Sequence, residues 1–515
     1  MPDAGVLLAE TSGSTAGRFA LRRVGTALSL VVCAFLGVRS FNPYTGVAPH
    51  IDSGVYLGVG EHLLRGRVLY REVWDHKPPV TGTLDALALA LGDHTVNAVR
   101  TMERWWAAFA AVAVFAIALL AFGDVTIAGV ASLLFLVHFY HPNVMRGNQP
   151  EEYGSILTLG GVALCLASLV PRVRTPAALA TGAGVLLGLA CLTKETFALG
   201  VLPWLGLVLW AGRHDRRLML RRGAYLLAGL LMPPLVFVIY LAWNGAVPDF
   251  LDVVRFNLHY VRFDAASEPN SGVLGMLLQG CGRGDALVCG VSRATVAAAV
   301  LGVVSVGFAG FRRRMRGLPV ALVAFLLLNL AAVSLARRYG YYYSQLVSGY
   351  VLLAACGLAF LVHVAHRWRI RKGLVVASFL VGAALADWRE GTAFVRRLEQ
   401  PRAYFSGDRE LVRYVKANTE PGDTIWNLVR EGSSIYAHAD RLSPTRFYYV
   451  SVHLFRDLPD PEAARREIRC ALDSHPPKLV LFDGNDAWLA KVHLDDWFRA
   501  NYAPAGFPSV YKRKP

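Results

Sequence analysis

The chain has 515 residues, 54% of them apolar, a mean hydropathy of +0.39 and a formal net charge of +16. Apolar runs recur from Val24 to Trp388 at bilayer-span length, which excludes a purely soluble globular protein. Nucleic-acid binding is excluded as the origin of the charge, because the basic residues cluster in short loops between those runs.

Arg18, Arg22 and Arg23 precede the first apolar run, 24–38, and no small-residue cleavage site follows it. That pattern reads as an uncleaved signal anchor. Three basic clusters mark cytoplasmic loops: Arg213 to Arg222, Arg312 to Arg316, and Arg367 to Lys372. With these and the N-terminus inside, the loop 41–77 falls outside. The run 80–91 is short for a ~30 Å hydrocarbon core, which takes about 20 residues. A full crossing there would put the basic clusters on the wrong side, so it reads as a re-entrant or interfacial helix. Further spans are expected near 99–122, 125–140, 156–170, 177–192, 197–210, 225–243, 295–311, 319–336, 346–364 and 374–388. The total is about eleven crossings.

The tail from Arg389 then lies outside, with enough residues for one small α/β domain. DTIWNLV, TRFYYVSV and KLVLFDG read as strands. PEAARREIRCALDSH and LDDWFRANY read as amphipathic helices. The expected fold is therefore an α-helical polytopic membrane protein, residues 1–388, with a C-terminal soluble α/β domain, residues 389–515. Seven cysteines show no metal-ligand spacing; Cys281 and Cys289 share an outer loop, either as a disulfide or as two thiols.

The chemistry concentrates in the first outer loop, 40–79, which holds Asp52, Glu61, Asp75, His76 and Lys77 before Pro78 and Pro79. Asp52 opens a predicted helix whose Val55, Leu57, Val59, Leu63 and Leu64 suit a membrane surface. The helix dipole favours an ionised carboxylate there, suited to general-base work on a hydroxyl; the plainer alternative is a helix N-cap. Lys77 is held extended by Pro78, itself suited to a first helical turn. Its charge fits a phosphate or a leaving group, or else it snorkels at the interface. Asp75 orients Lys77 or an acceptor, or is a simple salt bridge. His76 contacts ligand or lies at the surface.

In the loop HPNVMRGNQPEEYG, Glu151 and Glu152 are adjacent, so a helical backbone points one at the site and the other at solvent; Glu151 is favoured for the site. Lys194 lies beside Glu195 at the outer end of a span, either for phosphate or as a local ion pair. Arg337, Arg338, Tyr342, Tyr343 and Gln345 form another outer cluster. Arginine forks match phosphate oxygens, and tyrosines suit sugar stacking or an aromatic belt. Arg255, His259 and Tyr260 either cover the site or form a solvated amphipathic helix, the latter being favoured. No cofactor is expected; Mg²⁺ or Mn²⁺ between Asp52 and one glutamate is the lesser reading. Few ionisable residues fall mid-span, which disfavours an ion or proton pathway.

An acid opening the first outer loop (Asp52), the DHKPP run closing it (Asp75 to Pro79) and the later acidic loop NQPEEYG resemble the C-type integral-membrane glycosyltransferases, GT-C. The branch is that of protein O-mannosyltransferases and the lipid A aminoarabinose transferase. TKET at 193–196 and the tyrosine-rich loop before a late helix also fit. The resemblance spans residues 20–390 and touches the tail only loosely. It implies inverting transfer of a monosaccharide from a polyprenyl-phosphate donor to a hydroxyl of a glycan, lipid or protein acceptor, at the outer face of a bacterial cytoplasmic membrane. In that scheme Asp52, Asp75, Glu151 and Glu152 are catalytic. Lys77, Lys194, Arg337 and Arg338 bind the donor phosphate, and His76, Tyr342, Tyr343 and Gln345 contact substrate. The rivals are a transporter or lipid flippase, and a non-catalytic partner of the same fold in envelope polysaccharide assembly.

Overall fold

The computed structural model describes residues 16–46, 50–140, 147–171, 173–267, 287–288, 291–315, 317–334, 342, 344–386, 388–405, 409–429, 433–449, 458–484, 489 and 493–515. The chain begins with α1 (Ala16–Phe41), followed by α2 (Ile51–Leu64) and α3 (Val80–Leu91). Then come α4 (Val96–Phe122), α5 (Val125–Phe139), α6 (Pro150–Ser168), α7 (Pro176–Cys191), α8 (Phe197–Ala211), α9 (Arg216–Trp243) and α10 (Val247–Ser267). A short hairpin, β1 (Leu287–Val288) with β2 (Val291–Ser292), leads into α11 (Arg293–Val304) and α12 (Ala309–Arg314). The bundle closes with α13 (Leu318–Ser334), α14 (Ser344–Arg367), α15 (Lys372–Ala386) and α16 (Trp388–Glu399).

Among the described residues, α1, α4 to α9, α11 and α13 to α15 occupy the expected spans. By length and composition, α1, α4, α9 and α14 are each sufficient to cross a membrane, and the others are shorter apolar helices. The 12 residues of α3 reach only about 18 Å. α14 is the central post: from Ser344 to Phe360 it is buried, against α5, α11 and α13. Gly302 lets α11 and α14 touch; a Cβ there would lie 2.2 Å from the Leu353 carbonyl oxygen. Leu28, Val31, Phe35, Leu235, Val236, Ile239 and Val381 turn apolar faces outward, as a bilayer requires.

Three elements depart from the sequence expectations. The helix α6 starts at Pro150, so Glu151 and Glu152 lie in its first turn rather than in a loop; Pro150 takes a position where its missing N–H costs nothing. α2 does not lie on the membrane surface. Ser53 to His62 are buried, between α3 and the tail, and Tyr448 Oη donates to the Val55 carbonyl at 2.7 Å. The described part of TRFYYVSV, 445–449, is irregular rather than a strand, because the Arg446 carbonyl accepts the Trp74 N–H at 2.9 Å instead of joining a ladder.

The tail contains α17 (Arg409–Ala417), β3 (Ile425–Asn427), α18 (Ile435–Ala439), α19 (Pro461–Ser474), β4 (Leu479–Leu481), α20 (Asp495–Asn501), β5 (Tyr502–Pro504) and β6 (Val510–Arg513). The sheet order is β3-β4-β6-β5, with β3 parallel to β4 and the other pairs antiparallel. One hydrophobic cluster joins this sheet to α2 and the segment after it: Val55, Val59, Tyr70 and Trp74 pack in it with Trp426, Tyr448, Val480 and Phe498.

Candidate active site

The segment between α2 and α3 is fixed by its backbone. Asp75 Oδ1 accepts the Lys77 N–H at 3.2 Å, and Tyr70 Oη donates to the Lys77 carbonyl at 3.0 Å. Asn257 of α10 donates to the His76 carbonyl at 2.9 Å. The Lys77 side chain is therefore delivered from a rigid strut. Exclusion of water works against its charge, but Tyr342, Tyr260, Glu195 and Glu151 outweigh that and hold its ammonium above the ordinary lysine range.

Lys194, in the turn between α7 and α8, comes to the same place. Its Nζ lies 2.5 Å from Glu151 Oε1 and 3.1 Å from the centroid of the Tyr342 ring. Lys194 is 5% exposed. Burial pushes its ammonium down to about 8; Glu151 opposes that fall and Lys77 adds to it. The expected local pair with Glu195 is not the one formed. Glu151 reaches Lys194 from α6, and Glu195 is exposed.

Asp52 is not the N-cap of α2. That place belongs to His50, whose Nδ1 accepts the Asp52 N–H at 3.3 Å, and Asp52 sits in the first turn with its side chain 37% exposed. Tyr449 of the tail links it to Asp75. The Tyr449 hydroxyl is held protonated first by burial, then by the nearby Asp75 and Asp52 carboxylates. His76 Nδ1 is 3.3 Å from the same hydroxyl and 3.5 Å from Asp75 Oδ1. His76 is thus packed in the site against Trp74, Phe256 and Tyr260 rather than lying at the surface. Burial, then Lys77, lowers its pKa, with Asp75 opposing.

A second set of buried groups holds the Glu151 segment to the Asp52 turn. Ser53 Oγ donates to the Gly147 carbonyl at 2.6 Å, and Gln149 Nε2 donates to Ser53 Oγ at 3.0 Å. Asn148 Nδ2 donates to Asp85 at 2.7 Å and to the Ser53 carbonyl at 3.2 Å; its Oδ1 accepts from Tyr153 at 3.1 Å. The Asn148 N–H donates to Glu103, which also accepts from Arg100 at 3.0 Å. Gly147 has φ 74° and a Cβ there would overlap Arg100 Nη1, so both backbone and space call for glycine. Sequence reasoning missed Asp85, Arg100, Glu103 and Asn148 here. An arginine and a glutamate three apart near the start of an apolar span was the available signal.

Asp52, Asp75, His76, Lys77, Glu151, Lys194 and Tyr342 therefore converge. Glu152 does not join them: it turns to the Glu103 and Arg100 cluster and is buried, not solvated. Gln345 adjoins the Lys194 turn, but its amide is engaged by Thr196 and by Asn329 Oδ1 at 2.5 Å. Arg337, Arg338 and Tyr343 lie outside the described residues, as do Cys281 and Cys289. No group of three or more His, Cys, Asp or Glu side chains is arranged to hold a metal ion among the described residues.

The family model described as dolichyl-phosphate-mannose-protein mannosyltransferase matches residues 76–243. No curated protein matches the chain. The structure resembles ArnT from Cupriavidus metallidurans bound to undecaprenyl phosphate, with TM-score 0.58, 13% identity, and coverage of 97% of this chain and 98% of that one. It also resembles the oligosaccharyltransferase AglB from Archaeoglobus fulgidus in complex with an inhibitory peptide and a dolichol-phosphate. There the TM-score is 0.56 and the identity 12%, covering 96% of this chain and 74% of that one. With its apolar bundle, the loop that follows α1 and its C-terminal domain in this arrangement, the chain has the GT-C fold of integral-membrane glycosyltransferases.

Proposed function

We propose that this protein is an inverting glycosyltransferase that moves a monosaccharide from a polyprenyl-phosphate donor to an acceptor hydroxyl at the outer face of a bacterial cytoplasmic membrane. One observation carries the reading: Lys77 and Lys194, from different loops, both face Tyr342 and Glu151, with Asp75 and Asp52 near Tyr449 beside them. Two ammonium groups where the apolar helices end suit a lipid-borne phosphate. The lipids named for ArnT and AglB, undecaprenyl phosphate and dolichol-phosphate, are of that class.

In this reading Asp52, with the more open carboxylate, takes the acceptor proton, contributing ~10²–10⁴ in rate. The acceptor oxygen attacks the anomeric carbon while the bond from that carbon to the phosphate oxygen breaks. The electron pair leaves with the polyprenyl phosphate, and the configuration inverts. Lys77 and Lys194 stabilise the charge that grows on the departing phosphate. Asp75 sets the Lys77 backbone and, with His76 and Tyr449, borders the sugar. Glu151 keeps Lys194 charged and Tyr342 packs on it. Arg337, Arg338 and Tyr343 are proposed to complete the phosphate and sugar contacts. Glu152 and Gln345 are positioning residues. No step uses a metal. Residues 1–388 form the transferase domain, and the tail, 389–515, covers it from outside.

The test is release of polyprenyl phosphate by the full chain in lipid nanodiscs. A panel of polyprenyl-phosphate monosaccharides is supplied with an envelope acceptor fraction, and wild type is compared with Asp52→Asn. The reading expects release from one donor by wild type, a fall of ~10²-fold or more in Asp52→Asn, and equal donor binding by both. Equal release by the two proteins would remove Asp52 as the base.

A further inference from the structure

A groove between α3, α4 and the segment after α16 has no part in this transfer chemistry. Its volume is about 800 Å³, and it runs past Leu87, Leu91, Trp105 and Phe109. Leu91 is 81% exposed and Trp105 68%, so the groove opens sideways, where a bilayer would meet it.

Arg402 lines the groove; Arg104, on α4 next to the lining Trp105, and Arg39 of α1 are its basic neighbours. Arg402 and Arg39 both act on Arg104 as like charges. Arg402 donates to Thr101 Oγ1 at 2.6 Å and Arg39 to the Leu398 carbonyl. Nε of Arg104 and Nε of Arg402 are buried without a hydrogen-bond partner, and none of the three arginines forms an ion pair among the described residues. Asp93, the acid at the groove rim, is turned back on Thr95 N and Oγ1, at 3.2 and 2.7 Å. Like charges gathered in partly desolvated surroundings are costly unless an anion joins them.

We propose that this groove is a binding site for an anionic phospholipid, with its phosphate on Arg104 and Arg402 and its acyl chains along Trp105 and Phe109. Leu87, Leu91, Trp105 and Phe109 give the acyl chains an apolar path. The α3 helix, about 18 Å long, runs from just after Lys77 to the groove rim at Leu91 and Asp93. The bound lipid would pin the 402–405 segment to α4, where Asn97 already exchanges hydrogen bonds with the Phe405 backbone, and so fix the path into the tail.

The test is native mass spectrometry of the full chain, titrated with phosphatidylglycerol, phosphatidylcholine or undecaprenyl phosphate. Wild type is expected to retain one phosphatidylglycerol about tenfold more tightly than phosphatidylcholine. Arg104→Gln with Arg402→Gln is expected to lose that preference and leave undecaprenyl phosphate binding unchanged. Leu87→Trp, at a 51% exposed position, fills the groove without touching a charge, and is expected to weaken phosphatidylglycerol alone. It carries the test if the arginine variant does not fold. Equal retention of both phospholipids by wild type, or unchanged retention by Leu87→Trp, would overturn the proposal. Parallel loss of undecaprenyl phosphate would also overturn it, by making the groove the donor's.

Discussion

Lys194→Met should separate the two roles of the Lys194 and Glu151 pair. The pair is buried, and Glu151 Oε2 already lacks a hydrogen-bond partner. Removing the lysine leaves that carboxylate without its counter-charge, which costs about 3–5 kcal/mol, a fall in melting temperature on the order of 5 °C. Glu151→Gln is milder, because the stranded lysine can shed its proton. Lys194 already titrates at about 8 rather than 10.5, an offset of about 3 kcal/mol at ~1.4 kcal/mol per tenfold. The double variant Glu151→Gln with Lys194→Met removes both charges and should recover most of the lost stability. It should not recover the donor. Losing one charged hydrogen bond to phosphate costs ~1.5–3 kcal/mol, or about 10- to 150-fold in Kd. The assay is binding of a polyprenyl phosphate to each variant in nanodiscs, alongside thermal unfolding. A double variant that is stable and binds the lipid as wild type does would refute a role for Lys194 in holding phosphate and leave the pair purely structural.

Four further outcomes follow from the same geometry. Donor affinity of wild type should be level below pH of about 8 and weaken above it as Lys194 loses its proton; a level profile through that range contradicts the assignment. The same depressed value means the unfolded chain holds more protons between about 8 and 10.5, so this group makes stability rise with pH across that window, and its cost is fully present below it. Gly147→Ala should destabilise the protein by about 2–3 kcal/mol, since a φ of 74° and the Arg100 guanidinium both oppose a side chain there. Unfolding of the variant at the wild-type temperature would count against the tight loop geometry. Tyr448→Phe removes the hydroxyl bond from the tail to α2 and should cost about 1 kcal/mol. Hydrogen exchange should show faster exchange in α2 and in the tail, without change in the bundle.

The apolar bundle was legible in the sequence because length and hydropathy alone locate a span, and α9 and α14 match their runs. The start of α6 was not, because Glu151 and Glu152 look like loop residues until Pro150 is read as the first residue of a helix. The Lys77 strut could be anticipated from Pro78 and Pro79, which are local. The partner of Lys194 could not, because Glu151 is 43 residues away and only packing of α6 against α7 brings them together. Tyr449 was hidden for a related reason. An aromatic run in the tail reads as a buried strand, and nothing local says that its backbone answers Trp74 while its hydroxyl meets Asp75 and His76. Apolar patterning likewise assigned α2 to the membrane surface, since Val55 and Val59 suit lipid and a protein core equally well.

The most direct measurement is a structure of the full chain in nanodiscs with undecaprenyl phosphate bound. The account predicts the phosphate within hydrogen-bonding reach of both the Lys77 and Lys194 ammonium groups, on the side facing Asp52. A phosphate bound away from both lysines, with their side chains unchanged, would contradict it.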